Sequence, residues 1–351
     1  MLQPTTPPPI TTALAVFGRS MGADCILGVP VKRWLLFSAL VTLGTAACAP
    51  AAKDLKPSLE ATDSGKIWFA SAGTLPPSPD GSRFVPGDPV VLSGELGFPA
   101  GNGPFPAMVI AHGCGGNGAV DAAWARTLQE WGYATFVLDS FSGRGLVEVC
   151  TNARLLMGTQ RIPDAYGALR ALATHPRIDA RRVALMGFSH GGILTLGAAT
   201  AWARETFASE GRPAFRAFFP FYPYCNTIYP ERERISAPLR IHIGEIDDWT
   251  PASSCIRLVE MLKASGQDAA IAVYPGAHHG FPAEGLGFVR MRNVDNGAAC
   301  NARLATILGP IVSPASELEG CLQKGATIAG NAEAAALSRQ NVRAQLTELM
   351  K

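Results

Sequence analysis

Arg182-Val-Ala-Leu-Met186 runs directly into Gly187-Phe188-Ser189-His190-Gly191-Gly192, and an Ala-rich stretch follows through Phe207. A short apolar run, a Gly-x-Ser-x-Gly turn and a helix-forming segment read as buried strand, sharp turn and helix. The small flanking residues let the chain fold back closely and hold the serine hydroxyl clear of the backbone. Gly18-Arg19-Ser20-Met21-Gly22 has the same spacing, but it lies upstream of an apolar leader and has no helix former behind it. Ser189 is therefore the residue from which the reading works outward.

On either side the same alternation continues. Trp68–Ala72, Pro89–Leu92, Pro104–His112, Tyr133–Asp139, Ala217–Phe221, Leu239–Ile243 and Ala270–Tyr274 read as strands. Helical stretches begin at Asp121, Asp164, Gly192, Ser253 and Asn331. Strands separated by helices of this length imply right-handed crossovers. The expected class is α/β, with a mostly parallel central sheet flanked by helices on both faces. Residues 60–351 read as a single domain, with an insertion at about 284–328 before the last helix.

Chemistry-bearing residues fall at strand ends. A serine hydroxyl attacks only when a histidine takes its proton, and that histidine needs a carboxylate to fix its tautomer. Downstream of Ser189, Leu239–Ile243 ends in Gly244-Glu-Ile-Asp247-Asp248-Trp-Thr-Pro251, and Ala270–Tyr274 ends in Pro275-Gly-Ala-His278-His279-Gly-Phe281. We expect Asp247 as the acid, with Asp248 the alternative, and His279 as the base, with His278 a surface or supporting residue. Backbone donors for a developing oxyanion are expected at Cys114, in His112-Gly-Cys-Gly-Gly116, and at His190 after the serine. That glycine loop lacks the Lys and Ser/Thr of a phosphate-binding loop. Adjacent histidines point in different directions, so no metal site is expected.

Five segments in order, Pro104-Phe-Pro-Ala-Met-Val-Ile-Ala-His-Gly-Cys-Gly-Gly116, Asp139-Ser-Phe-Ser-Gly-Arg-Gly145, Gly187–Gly192, Gly244–Pro251 and Tyr274–Phe281, resemble the dienelactone hydrolase family of α/β-hydrolases. The resemblance implies the α/β-hydrolase fold and a hydrolase of esters or lactones that uses no metal or cofactor. Ser189, Asp247 and His279 match the family's triad, and Cys114 and His190 its oxyanion donors. Ser189 stands where the founding members carry a cysteine, and Gly113 where they carry a glutamate. Arg144 matches one of their two substrate-binding arginines, and Ala283 stands at the second. The expected function is a serine hydrolase that cleaves a carboxylic ester or lactone through an acyl-enzyme. A serine peptidase of the prolyl-oligopeptidase type and a non-catalytic envelope binding protein are the alternatives.

Composition bounds the rest. In 351 residues, 48% hydrophobic and 17% charged exclude disorder as the general state. A net charge of +2 gives no general attraction to nucleic acid. Residues 1–52 read as a disordered start followed by a secretion signal: Lys32-Arg33 precede the apolar Trp34–Ala47. Thr45-Ala-Ala-Cys48 resembles a lipobox, and Ala49-Pro50-Ala51 offers a peptidase cut instead. The expectation is export to the periplasm or to a lipid anchor in a bacterial envelope, with no other membrane contact. Of eight cysteines, Cys25 and Cys48 fall in or at the leader, leaving an even six in the domain. In an oxidising compartment these are expected to pair as Cys300–Cys321 across the insertion, Cys225–Cys255 near the acid and Cys114–Cys150 beside the oxyanion loop.

Overall fold

The computed structural model describes residues 55–74, 86–209, 211–309 and 311–351. The leader and Cys48 lie outside the described residues. In chain order the elements are β1 Gly65–Thr74, β2 Pro86–Gly97, β3 Phe105–Ala111, α1 Ala119–Glu130, β4 Ala134–Asp139, α2 Ile162–Leu172, β5 Ile178–Phe188, α3 His190–Ala198, α4 Ala201–Phe207 and β6 Phe218–Phe221. Then come β7 Leu239–Gly244, α5 Ala252–Ala264, β8 Ala269–Tyr274, β9 Val289–Asn296, α6 Ala315–Leu318, β10 Gln323–Ile328 and α7 Ala332–Leu349.

Eight strands form one sheet in the order β1-β2-β4-β3-β5-β6-β7-β8. β1 and β2 join antiparallel, and every pairing from β4 to β8 is parallel. The interior strands are buried at successive residues, as in β6 and β7. Side chains alternate between the two faces of a sheet, so unbroken burial requires cover on both. α2 packs with α3 and α4 in one layer, while α1 and α7 lie together, with the Arg343 guanidinium 5.5 Å over the Trp131 ring. The expected α/β class and mostly parallel sheet are present.

Strand order positions the site. From β3 the chain moves to β4 on one side, then crosses back to β5 on the other, where Ala111 pairs with Gly187. The loops after β3 and β5 consequently open side by side at the strands' carboxyl ends, the switch point where α/β sheets bind ligands.

Three elements differ from the sequence reading. The expected helix from Gly192 to Phe207 is two helices: Thr200 leaves helical geometry and its side chain accepts the Ala203 N–H at 3.1 Å, capping α4. Asp121 does not open α1 but sits in its first turn, accepting the Gly118 N–H at 2.8 Å. The patternless 284–328 segment holds an antiparallel ribbon, β9 with β10. Neither strand alternates: β9 is buried only at Val294 and Asn296, and β10 is buried at successive residues from Gly325 to Thr327.

The six domain cysteines are joined as Cys114–Cys150, Cys225–Cys255 and Cys300–Cys321, with Cα separations of 4.9, 5.1 and 5.0 Å. Such bonds belong to oxidising compartments. Among the described residues no helix is long and apolar enough to cross a membrane. Cys300–Cys321 closes the excursion between β9 and β10, and closing a loop of this size stabilises by roughly 3 kcal/mol. Replacing both cysteines with serine is expected to expose residues 301–320 to limited proteolysis while the sheet stays resistant; an unchanged cleavage pattern would show that the ribbon alone holds the loop.

Candidate active site

Ser189, between β5 and α3, stands at φ 53°, ψ −112°, a positive-φ conformation that a residue with a side chain rarely adopts. Two glycines make this turn possible. A Cβ at Gly191 would lie 2.1 Å from the Ala111 carbonyl oxygen, and one at Gly187 2.1 Å from that of Gly191. The backbone of α3 therefore closes onto β3, and the Ser189 side chain projects beyond the strand ends.

The structure brings three distant side chains together there. Ser189 Oγ donates to His279 Nε2 at 2.9 Å, and His279 Nδ1 donates to Asp247 Oδ2 at 2.8 Å. Because the buried carboxylate only accepts, the imidazole proton sits on Nδ1 and leaves Nε2 free to accept. The carboxylate is itself fixed: Asp247 Oδ1 accepts the N–H groups of Trp249 and Thr250 at 2.9 and 2.8 Å, and Oδ2 accepts the Thr250 hydroxyl at 2.9 Å. Tyr222 and Trp249 flank the His279 ring, with centroids 4.5 and 4.8 Å away.

The two neighbouring acids point in different directions. Asp248 faces away from His279: it takes the Thr327 N–H at 2.7 Å, the Thr327 hydroxyl at 2.8 Å and Arg290 Nη1 at 2.7 Å, which ties the β9–β10 ribbon to the acid turn. His278 lies edge-on to Phe288 at 5.5 Å. Arg144 corrects an expectation. It does not line the cavity; Nη1 and Nη2 hold both oxygens of the buried Asp164 at 2.9 and 2.8 Å, and Nη1 also reaches the Ser140 carbonyl. Its end-on fork is thus spent on Asp164 rather than on a ligand in the cavity.

Beside Ser189 opens a cavity of about 370 Å³. Val149, Ile193, Trp249, Ile311, Leu318 and Leu322 give it mainly apolar walls, and both Cys114–Cys150 and Cys300–Cys321 line it. The loop after β3 brings the Cys114 N–H to the same place, with no acceptor among the described residues. The His190 N–H opens α3, where no intrahelical acceptor exists.

Sequence reasoning missed Thr250, Tyr222, Trp249 and Arg161. Asp247-x-x-Thr250 is the spacing of a side chain closing its own turn, a readable signal. Tyr222 leaves no pattern, because its place follows from β6 lying next to β5. Arg161 is fully buried, three residues before the buried Asp164, and its guanidinium contacts the His112 carbonyl and the His190 ring.

A family model for the dienelactone hydrolase family matches residues 92–307. The chain belongs to the dienelactone hydrolase family. Membership places it among hydrolases of the ester and lactone type acting on small molecules. It is 21% identical over 204 residues to a probable 2-oxo-3-(5-oxofuran-2-ylidene)propanoate lactonase of Bradyrhizobium sp, covering 53% of this chain and 77% of that enzyme. It is 25% identical over 212 residues to acylamino-acid-releasing enzyme 1 of Oryza sativa subsp. japonica, covering 50% of this chain and only 27% of the rice enzyme. Among solved structures, a dienelactone hydrolase-like promiscuous phosphotriesterase from metagenomic libraries shares the fold at 19% identity and TM-score 0.53, covering 82% of this chain and 100% of that one. The structure of m3DLH does so at 19% and 0.55, covering 82% and 99%.

Several buried groups in and near the site make stability depend on pH. Burial, then the Arg161 charge, pushes His190 down to about 3 and His112 well below its usual value. His242 is pushed down to about 3, chiefly by burial. These imidazoles take up protons near 6.5 only in the unfolded chain, so the stability they contribute is present above pH 6.5 and lost as pH falls below it. Burial raises Asp121 to about 6, which acts in the opposite sense for one proton between pH 6 and 3.8. Three histidines outweigh one carboxylate, at about 1.4 kcal/mol per pH unit for each net proton. Thermal unfolding should shift to clearly lower temperature between pH 7 and 5; an unchanged or higher midpoint would contradict this.

Proposed function

We propose that the protein is a serine hydrolase that cleaves a carboxylic ester or lactone through an acyl-enzyme. The observation that carries this reading is the Ser189 Oγ–His279 Nε2 contact at 2.9 Å, with His279 Nδ1 on Asp247 at 2.8 Å. Ser189 attacks the acyl carbon as His279 Nε2 accepts the hydroxyl proton, and Asp247 stabilises the resulting imidazolium. The Cys114 and His190 N–H groups receive the carbonyl oxygen as it gains charge. His279 then passes its proton to the departing alkoxide. Water, deprotonated by the same nitrogen, releases the acid and restores Ser189.

The apolar walls favour a substrate whose larger group is uncharged. With Arg144 committed to Asp164, the cavity's charged lining consists of Arg154 and Asp295, and Asp295 pairs with Lys324. Residues 60–351 are read as one catalytic domain behind an exported leader, in the periplasm or on a lipid anchor; three disulfides support an oxidising compartment. A peptide-cleaving reading stands second, favoured by the similarity to the rice acylamino-acid-releasing enzyme.

A fluorophosphonate probe should label the purified protein, and Ser189→Ala should abolish the label and lower kcat on aryl esters by at least about 10⁴-fold. Labelling that survives Ser189→Ala would exclude Ser189 as nucleophile. Aryl esters should be cleaved far faster than peptide anilides; the reverse preference would favour the peptidase.

A further inference from the structure

Behind the loop after β3 and the start of α3 lies a buried charge that the proposed triad does not use. Arg161 is 0% exposed. Among the described residues no carboxylate forms an ion pair with its guanidinium, Asp164, Asp121 and Asp139 acting on it only from farther off, and Nε and Nη2 have no hydrogen-bond partner. Burying a cation with no ion-pair partner is costly in general, so its retention calls for a compensating role.

Its one engaged nitrogen suggests that role. Arg161 Nη1 donates to the His112 carbonyl at 2.9 Å and to His190 Nδ1 at 2.9 Å. The first contact fixes the peptide that leads into Gly113-Cys114; the second fixes the residue whose N–H opens α3. Each histidine carries the constraint further. His112 Nδ1 donates to the Gly113 carbonyl at 2.7 Å, and that carbonyl belongs to the same peptide plane as the Cys114 N–H. His112 Nε2 accepts the Ser140 N–H at 3.2 Å, which requires a neutral ring. His190 Nε2 donates to the Leu156 carbonyl at 2.9 Å, so its Nδ1 must also stay unprotonated to accept from Arg161. The two peptide groups proposed to bind the oxyanion are thus held by two neutral imidazoles around a single guanidinium nitrogen.

We infer that Arg161 is the positioning residue of the oxyanion site, aligning the Cys114 and His190 N–H groups and adding an unpaired positive charge behind them. This rests on the serine hydrolase reading above. Both effects grow with the charge on the carbonyl oxygen, so they act on the transition state more than on the bound ester.

The test compares wild type, Arg161→Met and Arg161→Lys for aryl-ester kinetics and for the rate of fluorophosphonate labelling, with unfolding midpoints measured on each. Arg161→Met is expected to lower kcat and the labelling rate about 100-fold with KM changed less than about threefold, and Arg161→Lys to recover part of the loss. A folded Arg161→Met with kcat and labelling within threefold of wild type would overturn the inference while leaving the hydrolase reading intact. If Arg161→Met does not fold, a second pair decides. His190→Asn keeps an acceptor near the Nδ1 position for Arg161 and should keep more of the activity and labelling rate than His190→Phe, which removes it; equal kcat and labelling in the two would overturn the inference. Wild-type protein that takes no label at Ser189 would remove the parent reading, and the inference with it.

Discussion

The absence of room for a Cβ at Gly187 and Gly191 is the constraint from which the rest of the site follows. With Gly191 pressed against the Ala111 carbonyl, α3 starts directly over β3, and Ser189 is held at a positive φ between them. The approach is possible because β3 and β5 are neighbours in the sheet. It places the serine, the loop after β3 and the first N–H of α3 within one small volume. The strain at Ser189 is offset by the packing of the sheet and the helices around it.

Three further pieces converge on that point from different distances in sequence. The acid turn after β7 fixes its carboxylate with its own backbone and Thr250, then presents it to His279. The ribbon of β9 and β10 grips the same turn through Asp248, bridges the His279 backbone at Ile328 and carries the loop that walls the cavity. Disulfides brace this arrangement near its loops, where the hydrogen-bonded ladders of the sheet do not reach. The proposed chemistry accordingly depends on rigid strand ends and on cross-linked loops together.

Much of this was legible in the residues. Periodic apolar runs locate the parallel strands because those strands are buried on both faces, and Ser189, Asp247 and His279 each close such a run. What was not legible depends on partners far away in sequence. Arg144 sits in a glycine-flanked loop that looks open, yet Asp164 in α2 takes its guanidinium. Asp247 and Asp248 are adjacent in sequence and differ in what the fold sets opposite them, His279 for one and Thr327 for the other. The ribbon escaped detection because its two strands are separated by a long loop and neither alternates between buried and exposed residues, and Arg161 because a buried cation looks like a surface one until its neighbours are known.

The central claim is geometric: one oxygen bound to the atom that Ser189 attacks must fall between the Cys114 and His190 N–H groups. The most direct measurement is a crystal structure of the protein after reaction with a phosphonate ester. The account predicts phosphorus bonded to Ser189 Oγ, with its non-bridging oxygen about 3 Å from both nitrogens. Phosphorus on another residue, or an oxygen turned away from both N–H groups, would contradict it.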